Sequence, residues 1–244
     1  MTRSSICCVI PGYNVEKFCG EVVRQAAAHA DHVIAVDDGS TDGTGKILSR
    51  IAAESGGRVR FLSFAKNQGK GAALLEGFHR ALAEFPFEVL VTLDGDGQHR
   101  AEEIPRLAGK CLEEGASLVI GERRETRAMP FRSSLGNGIM RALLRALYPG
   151  SPFDTQSGLR AHHRSFVEEV VRVVRGGRYE TEIEILLLAL RQGRRIGAVP
   201  IPTIYFDGNR SSHFRPLADS FRICRTILGS RRLPRGESRA GEPS

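Results

Sequence analysis

The sequence predicts an α/β fold in which a doubly wound, mostly parallel sheet forms a single domain. Apolar runs of strand length alternate with segments of helical periodicity from residue 5 to about 122, and this alternation is typical of βαβ units. Acidic or turn residues directly follow three of the apolar runs. The 244 residues, 41% of them hydrophobic, are enough for one sizeable core.

The first part of the chain is predicted to contain five strands separated by four helices. Each strand is an apolar run bounded by polar or turn residues, and the strands are predicted at 6–10, 32–37, 58–64, 89–93 and 117–121. The helices are predicted at 16–30, 44–54, 69–84 and 102–114. Lys70 is assigned to the start of the third helix, and residues 67–71 could also contact a bound ligand.

The regular alternation ends after residue 122. The second part is predicted to hold helices at 133–148, 165–175, 181–191 and 216–228, and extended segments at 153–162 and 196–205. Pro200 and Pro202 place the last strand at a sheet edge, because proline cannot donate a ladder hydrogen bond. Residues 229–244 are rich in Ser, Arg, Gly and Pro, which predicts a disordered basic tail. One domain is therefore expected over 1–228.

The clearest chemical signal is the segment LDGDGQH at residues 93–99. Asp94 and Asp96 come at the carboxyl end of a buried strand, where open α/β sheets bind ligands. Two carboxylates this close favour a cation between them, and oxygen ligands from the acids and Gln98 suit Mg²⁺ or Mn²⁺. Since a hard cation with few protein ligands shares its other positions with phosphates, the segment predicts a metal-bound nucleoside diphosphate. The alternative is a polar turn rich in Asp and Gly.

Two further polar segments follow strands of the same predicted sheet. The segment DDGSTDGT (37–44) follows the second strand, and PGYN (11–14) follows the first. Because the carboxyl ends of parallel strands meet at one edge of a sheet, these segments are expected to converge with the acid pair. Three converging polar segments predict a nucleotide pocket.

Composition narrows the range of partners. The formal charge of +7, from 35 basic and 28 acidic residues, is compatible with nucleic acid, anionic lipid headgroups or a phosphorylated substrate. The chain has no Trp and four Tyr, which argues against a stacking platform for nucleic acid. No apolar run reaches about 18 residues, so no transmembrane helix is expected. Five scattered cysteines without zinc-site spacing indicate reduced thiols of a cytoplasmic protein.

Four ordered segments carry a resemblance to a known family. VIPGYN (9–14), VDDGSTD (36–42), NQGKG (67–71) and LDGDGQH (93–99) resemble family 2 glycosyltransferases, which have the GT-A fold. Within that family the chain is most similar to dolichyl-phosphate mannose synthases and bacterial polyprenyl-phosphate glycosyltransferases, over about residues 5–225. The resemblance implies a hexosyltransferase that uses a nucleotide-diphospho-sugar in a metal-dependent, inverting displacement.

The resemblance also implies roles for residues of a donor half, about 5–122. It implies that four residues line the base and ribose pocket: Pro11, Tyr13, Glu16 and Asp38. Asp94 would lie against the ribose and diphosphate. Asp96 would be the principal ligand of Mg²⁺ or Mn²⁺ and Gln98 a second ligand, and the ion would neutralise the departing diphosphate.

The remaining implied roles belong to an acceptor half, about 123–228. The segment GER (121–123) resembles a Gly-Ser-Arg step, so Arg123, Arg132 and Ser134 would face the acceptor phosphate, which arginine binds bidentately. The segment RSSH (210–213) resembles an Arg-x-x-Lys pair at the donor diphosphate. Its implied contacts are Arg210 and His213. Because histidine carries a full charge only when protonated, the contribution of the last residue stays open.

One missing residue bears on the acceptor. Family members that glycosylate a hydroxyl commonly place an Asp base in a Glu-Asp element, and the matching stretch YETEIE (179–184) lacks that Asp. A phosphate acceptor is already an anionic nucleophile and needs no strong base, so a polyprenyl phosphate is favoured. The three glutamates are interpreted either as a solvated helix face or as site residues. Asp154 and Gln156 either hold the acceptor loop or bind the sugar.

The resulting prediction is transfer of a hexose from GDP-mannose or UDP-glucose to a polyprenyl phosphate at the inner face of the cytoplasmic membrane. The basic loop 122–141 and the amphipathic helix 216–228 offer a peripheral route to the lipid, since each basic residue near an anionic surface contributes about 1 kcal/mol. Whether the protein needs a membrane-anchoring partner stays open. The alternative is a hydroxyl acceptor on a glycolipid or polysaccharide, which a carboxylate base such as Asp154 or Glu182 would favour.

Overall fold

The computed structural model describes residues 5–123, 145, 147–148, 154, 157–177 and 180–202. The strands of this part are β1 (Ile6–Gly12), β2 (His32–Asp37), β3 (Val59–Ser63), β4 (Val89–Thr92), β5 (Leu118–Arg123), β6 (Arg160–His163) and β7 (Ile196–Ile201). Its α-helices are α1 (Cys19–His29), α2 (Thr44–Glu54), α3 (Lys70–Glu84), α4 (Ile104–Glu113), α5 (Arg164–Val173) and α6 (Glu180–Arg191). A short 3₁₀ helix, Ala101–Glu103, precedes α4.

The strands form one sheet in the order β3-β2-β1-β4-β6-β5-β7. β1 pairs in parallel with β2 and β4, β2 with β3, and β5 with β7. β6 lies antiparallel between β4 and β5, with Ala161 opposite Val91 on one side and Val119 on the other. The predicted mostly parallel sheet is confirmed, and so is the edge position of the proline-containing strand.

Helices cover both faces of this sheet, which explains why its strands are continuous apolar runs. Successive side chains of β1 point to opposite faces. Cys8 and Ile10 belong to a core cluster with α1, α2 and α4, whereas Cys7 and Val9 belong to one with α3, α5 and α6. Burial raises the pKa of the Cys7 thiol to about 12, so it stays protonated and unreactive.

The first helix begins at Cys19, so the predicted start at Glu16 is wrong. Residues 15–18 instead form a turn, in which the Cys19 N–H donates to the Val15 carbonyl. The Val15 N–H donates to Thr44 Oγ1 at 2.9 Å, and the Gly43 N–H donates to Glu16 Oε2 at 2.7 Å. These contacts attach the turn to the start of α2.

Several predicted segments lie outside the described residues. These are most of the helix 133–148, the helix 216–228 and the tail 229–244, and the single domain over 1–228 stays a prediction. Within the described ranges, no helix is long and apolar enough to cross a membrane.

His162 of β6 is buried between two aromatic rings. Its ring centroid is 5.3 Å from that of Phe78 and 6.5 Å from that of Phe166. Neither ring nitrogen has a hydrogen-bond partner among the described residues. Burial, and then the Arg160 cation, lower the pKa of His162 to about 3, so the folded protein holds it as the neutral imidazole.

We expect this histidine to make stability depend on acid pH. An unfolded histidine has a pKa of about 6.5, so between that value and about 3 only the unfolded chain takes up the proton. The contribution of neutral His162 to the free energy of unfolding is therefore complete above about pH 6.5. It decreases as the pH is lowered below that value, by at most about 1.4 kcal/mol per pH unit. His162→Leu should flatten this slope in urea unfolding at pH 7.5 and pH 5, whereas His79→Leu at an exposed position should not. Equal slopes for the wild type and His162→Leu would contradict the prediction.

Candidate active site

The loops that follow β1 and β2 are joined by hydrogen bonds at the carboxyl edge of the sheet. The Thr41 N–H donates to Asn14 Oδ1 at 2.9 Å, and the Asn14 N–H donates to Ser40 Oγ at 2.9 Å. These bonds stabilise Asn14 at a φ of 52°, which few non-glycine residues adopt. Tyr13 is half-buried in this loop and Pro11 is buried at the end of β1. The predicted convergence of these two segments is thus observed.

Asp38, predicted for the base and ribose pocket, is 2% exposed and anchors a third loop. Its Oδ1 accepts the Gln68 N–H at 2.7 Å. Its Oδ2 accepts the Gly69 N–H and the Asn67 side-chain amide, both at 2.9 Å. Asp38 therefore holds the loop before α3 against the end of β2.

Glu16, predicted for the same pocket, is exposed at the rim of the site. Its backbone N–H donates to Asp42 Oδ2 at 3.2 Å, and its carboxylate accepts the Gly43 N–H. A carboxylate at a helix N-terminus interacts favourably with the unpaired amides and the helix dipole. Glu16 thus stabilises the start of α2, and its contact with a nucleotide stays a prediction.

The acid pair after β4 lies in a tight turn beside the end of β1. The Gln98 N–H donates to Asp96 Oδ1 at 3.0 Å, and Gly97 adopts a φ of 77°, which glycine accommodates without strain. The Gly95 N–H donates to the Pro11 carbonyl at 3.3 Å. The pair is thereby fixed next to the loop that carries Tyr13.

Electrostatics distinguish the two acids. Burial, and then repulsion by Asp94, raise the pKa of Asp96 to about 6. Burial would raise the pKa of Asp94 too, but the Lys70 cation, 2.7 Å from its carboxylate, holds that pKa below its usual value. Burial lowers the pKa of His99 to about 4, so this imidazole is neutral near pH 7.

These residues fit a divalent ion that has few protein ligands. Asp96 and Gln98 offer hard oxygen donors, and a cation would offset the cost of ionising Asp96 beside Asp94. No group of three or more His, Cys, Asp or Glu side chains within the described ranges could hold a metal by itself. A Mg²⁺ or Mn²⁺ ion bound here would complete its shell with other oxygens, such as those of a diphosphate.

Asp94 contacts Lys70, which the sequence places at a helix start, in a segment that could also contact a nucleotide. Lys70 Nζ lies 2.7 Å from Asp94 Oδ1 and 3.1 Å from Glu182 Oε2. Glu182 is 7% exposed, so its interpretation as part of a solvated face is wrong. One signal was available, because a cation is unfavourable at a helix N-terminus and its presence in the first turn of α3 indicates a carboxylate partner.

Gly158 lies directly against the Asp94 carboxylate. A Cβ built on Gly158 would fall closer than 3.0 Å to three atoms of that carboxylate. Its carbonyl accepts the Thr92 hydroxyl at 2.8 Å, which links the segment to β4. This approach explains why glycine stands at this position.

We expect Gly158→Ala to displace Asp94 and to weaken nucleotide binding about tenfold or more, a loss of about 1.4 kcal/mol. Calorimetric titration with a nucleoside diphosphate and Mn²⁺ measures the effect. Gly109→Ala is the matched control, because a Cβ there meets only Glu113 Oε1 at 3.8 Å. Unchanged binding by Gly158→Ala would show that Asp94 can move without consequence for the nucleotide.

At the end of β5, Arg123 is bound by Asp154. Arg123 Nε lies 2.6 Å and its Nη2 lies 3.0 Å from the two carboxylate oxygens, and the Arg123 N–H adds a third bond at 3.2 Å. This bidentate geometry fixes the guanidinium plane. Asp154 therefore holds the residue predicted to face the acceptor phosphate.

The remaining predicted site residues lie outside the described residues and stay predictions. They are Arg132, Ser134, Gln156, Arg210 and His213.

The chain has a mostly parallel sheet with an acid pair after its fourth strand and polar loops after its first two. Solved glycosyltransferase structures align with this architecture, so the fold is of the GT-A class. Glycosyl transferase family 2 is the family to which this chain belongs, since the model of that family matches residues 7–171. The resemblance seen in the sequence is thus confirmed, and the protein is an enzyme of the glycosyltransferase class.

The alignments with relatives cover most of the chain. The UDP-N-acetylglucosamine–dolichyl-phosphate N-acetylglucosaminyltransferase of Methanococcus voltae is 34% identical over 224 residues, covering 84% of this chain and 88% of that protein. The polyprenol monophosphomannose synthase of Mycolicibacterium smegmatis is 32% identical, covering 79% and 75% respectively. Among solved structures, a Mycobacterium tuberculosis glucosyl-3-phosphoglycerate synthase complex with Mn²⁺, UDP-glucose and phosphoglyceric acid aligns with a TM-score of 0.70 and 25% identity, covering 99% of this chain and 84% of that one.

Proposed function

We propose that this enzyme transfers a hexose from a nucleotide-diphospho-sugar to a polyprenyl phosphate, with inversion at the anomeric carbon. The observation that carries the proposal is that both candidate bases for a hydroxyl acceptor are held in ion pairs. Asp154 binds Arg123, and Glu182 binds Lys70. A phosphate oxygen is already anionic and needs no base, so an acceptor of this kind suits such a site.

The names of the relatives support the acceptor class. One acts on dolichyl phosphate and another makes polyprenol monophosphomannose. The sugars in these names differ, so the names do not identify the donor of this enzyme. The predicted donors are GDP-mannose and UDP-glucose.

In the proposed reaction, a phosphate oxygen of the lipid attacks the anomeric carbon in line with the leaving group. The carbon–oxygen bond to the nucleoside diphosphate breaks, and the diphosphate leaves with the electron pair. Arg123, oriented by Asp154, would bind the attacking phosphate together with Arg132. Asp94 would bind the ribose and diphosphate, and Arg210 with His213 would contact the departing diphosphate.

Asp96 and Gln98 would hold the divalent ion, which supplies charge neutralisation for the leaving group. The Mn²⁺ in the mycobacterial complex supports the use of a divalent ion. The choice between Mg²⁺ and Mn²⁺ is a matter for titration.

We further propose that the enzyme acts peripherally at the inner face of the cytoplasmic membrane, where a polyprenyl phosphate presents its headgroup. The formal charge of +7 favours such a surface. A binding assay with vesicles of anionic and neutral lipid tests this, and equal binding to both would contradict it.

The function is tested by turnover with Mg²⁺ or Mn²⁺. GDP-mannose, UDP-glucose and UDP-N-acetylglucosamine are each offered against undecaprenyl phosphate and dolichyl phosphate. A labelled lipid product that is cleaved by mild acid is expected with one donor. Slow metal-dependent hydrolysis of one donor without a lipid product would overturn the acceptor assignment and favour a hydroxyl acceptor.

A further inference from the structure

Three charged side chains from distant parts of the chain form one cluster, made of Lys70, Asp94 and Glu182. Lys70 Nζ lies 2.7 Å from Asp94 Oδ1 and 3.1 Å from Glu182 Oε2. The side chains are 18%, 23% and 9% exposed in that order. Glu182 is the least exposed of the three side chains.

The backbone beneath Glu182 is itself fixed. Arg160, which is 1% exposed, donates from Nη1 to the Glu182 carbonyl and from Nε to the Ser157 carbonyl, both at 2.7 Å. The Gly177 N–H donates to the Thr181 hydroxyl at 2.9 Å. The first turn of α6 is thereby attached to β6 and to the preceding segment, so the Glu182 side chain starts from a rigid position.

Lys70 depends on a rigid carboxylate partner to fix the position of its ammonium group. A lysine side chain has a long, flexible stem, and the N-terminal turn of α3 repels its charge. With Asp94 as its only acidic partner it could swing away from the site. A second carboxylate on a rigid helix limits it to the position between the two acids, and the two acids together raise the pKa of Lys70 above its usual value.

We propose that Glu182 is a positioning residue of the donor site, which acts through Lys70 to hold the Asp94 carboxylate in place. The inference rests on the proposed function, because that function assigns the contact of Asp94 with the donor. This role for Glu182 differs from that of a catalytic base. A base takes a proton from the acceptor, whereas a positioning residue changes the affinity for the donor.

The test compares Glu182→Gln with the wild type and with Glu184→Gln. Glutamine keeps the shape of the side chain and removes only its charge. Glu184 is a matched control because it is partly buried on the same helix, and residues two apart in a helix do not share a face. Each variant is titrated with GDP and with UDP in the presence of Mn²⁺, and its kcat, donor KM and pH–rate profile are then measured.

We expect Glu182→Gln to weaken nucleotide binding and to raise the donor KM about tenfold, with kcat changed less than about threefold and the pH profile retained. Glu184→Gln should bind as the wild type does. A kcat about a hundredfold lower, with an unchanged donor KM and loss of one limb of the pH profile, would identify Glu182 as a base and overturn the proposal. Binding unchanged within about twofold would overturn it as well.

A second comparison keeps the proposal testable if Glu182→Gln alone fails to fold. Lys70→Gln and the double variant Lys70→Gln/Glu182→Gln complete a double-mutant cycle. If Glu182 acts through Lys70, then Glu182→Gln adds no further loss of nucleotide affinity in the Lys70→Gln background. Additive losses would overturn the proposal.

The nucleotide titration also separates this proposal from the acceptor assignment, because it needs no lipid. A wild type that makes no polyprenyl product, combined with weakened nucleotide binding by Glu182→Gln, would reject the acceptor and support the positioning role. Lipid product together with unchanged nucleotide binding by the variant would do the reverse.

Discussion

Replacing Asp96 with alanine is expected to lower metal-dependent transfer about a thousandfold while the protein stays folded. The variant loses the principal ligand of the divalent ion, and with it several kcal/mol of charge stabilisation on the departing diphosphate. Stability should not fall, because burial and Asp94 already make ionisation of Asp96 costly and raise its pKa to about 6. Turnover at saturating donor, Mn²⁺ titration and thermal unfolding measure the three effects.

Asp96→Asn separates the effect of losing the negative charge from the effect of disturbing the turn. An asparagine oxygen can still accept the Gln98 N–H that Asp96 Oδ1 accepts at 3.0 Å, so the loop should keep its shape. A loss of turnover similar to that of Asp96→Ala would assign the effect to the missing charge. Normal turnover by Asp96→Ala, which has no side-chain oxygen at this position, would refute the metal assignment.

Replacing Arg123 with alanine is expected to lower kcat/KM for the lipid acceptor about a hundredfold, with nucleotide affinity changed by less than about threefold. The guanidinium would otherwise hold the acceptor phosphate in the orientation set by Asp154. Arg123→Lys should recover little, because a lysine cannot make the two parallel bonds at 2.6 and 3.0 Å to that carboxylate. Steady-state kinetics with varied lipid, and a separate nucleotide titration, measure the split.

Asp154→Asn provides the companion variant. It leaves Arg123 in the chain but removes the charged partner that orients it, so acceptor use should fall in the same direction and by a smaller factor. Arg132→Ala is expected to show the same split between acceptor and nucleotide. An equal loss of both for Arg123→Ala would place this arginine at the donor instead of at the acceptor.

Much of the fold was predictable because its signals are local. The apolar runs of β1, β2 and β4 are short, continuous and bounded by turn residues, so their type and order followed directly. Boundaries were less accurate where a distant side chain intervened. Thr44 and Gly43 hold residues 15 and 16 in a turn, so α1 begins three residues after the predicted start at Glu16.

The position of β6 was not predictable from its own residues. Arg160–His163 is short and polar, with two histidines and an arginine, yet it lies antiparallel inside the sheet, between β4 and β5. Its burial is compensated by partners elsewhere, among them the Glu182 carbonyl for Arg160 and the aromatic rings around His162. A local pattern contains none of these partners.

The sequence by itself determined the α/β class, the family, and the three acid-rich or turn segments at one edge of the sheet, because each is encoded in a few consecutive residues. Only the tertiary structure decided which charges neutralise one another. Lys70 and Glu182 are 112 residues apart, and Arg123 and Asp154 are 31 apart. Buried charges are stable only when paired, and in this protein the chain meets that requirement through contacts between distant segments.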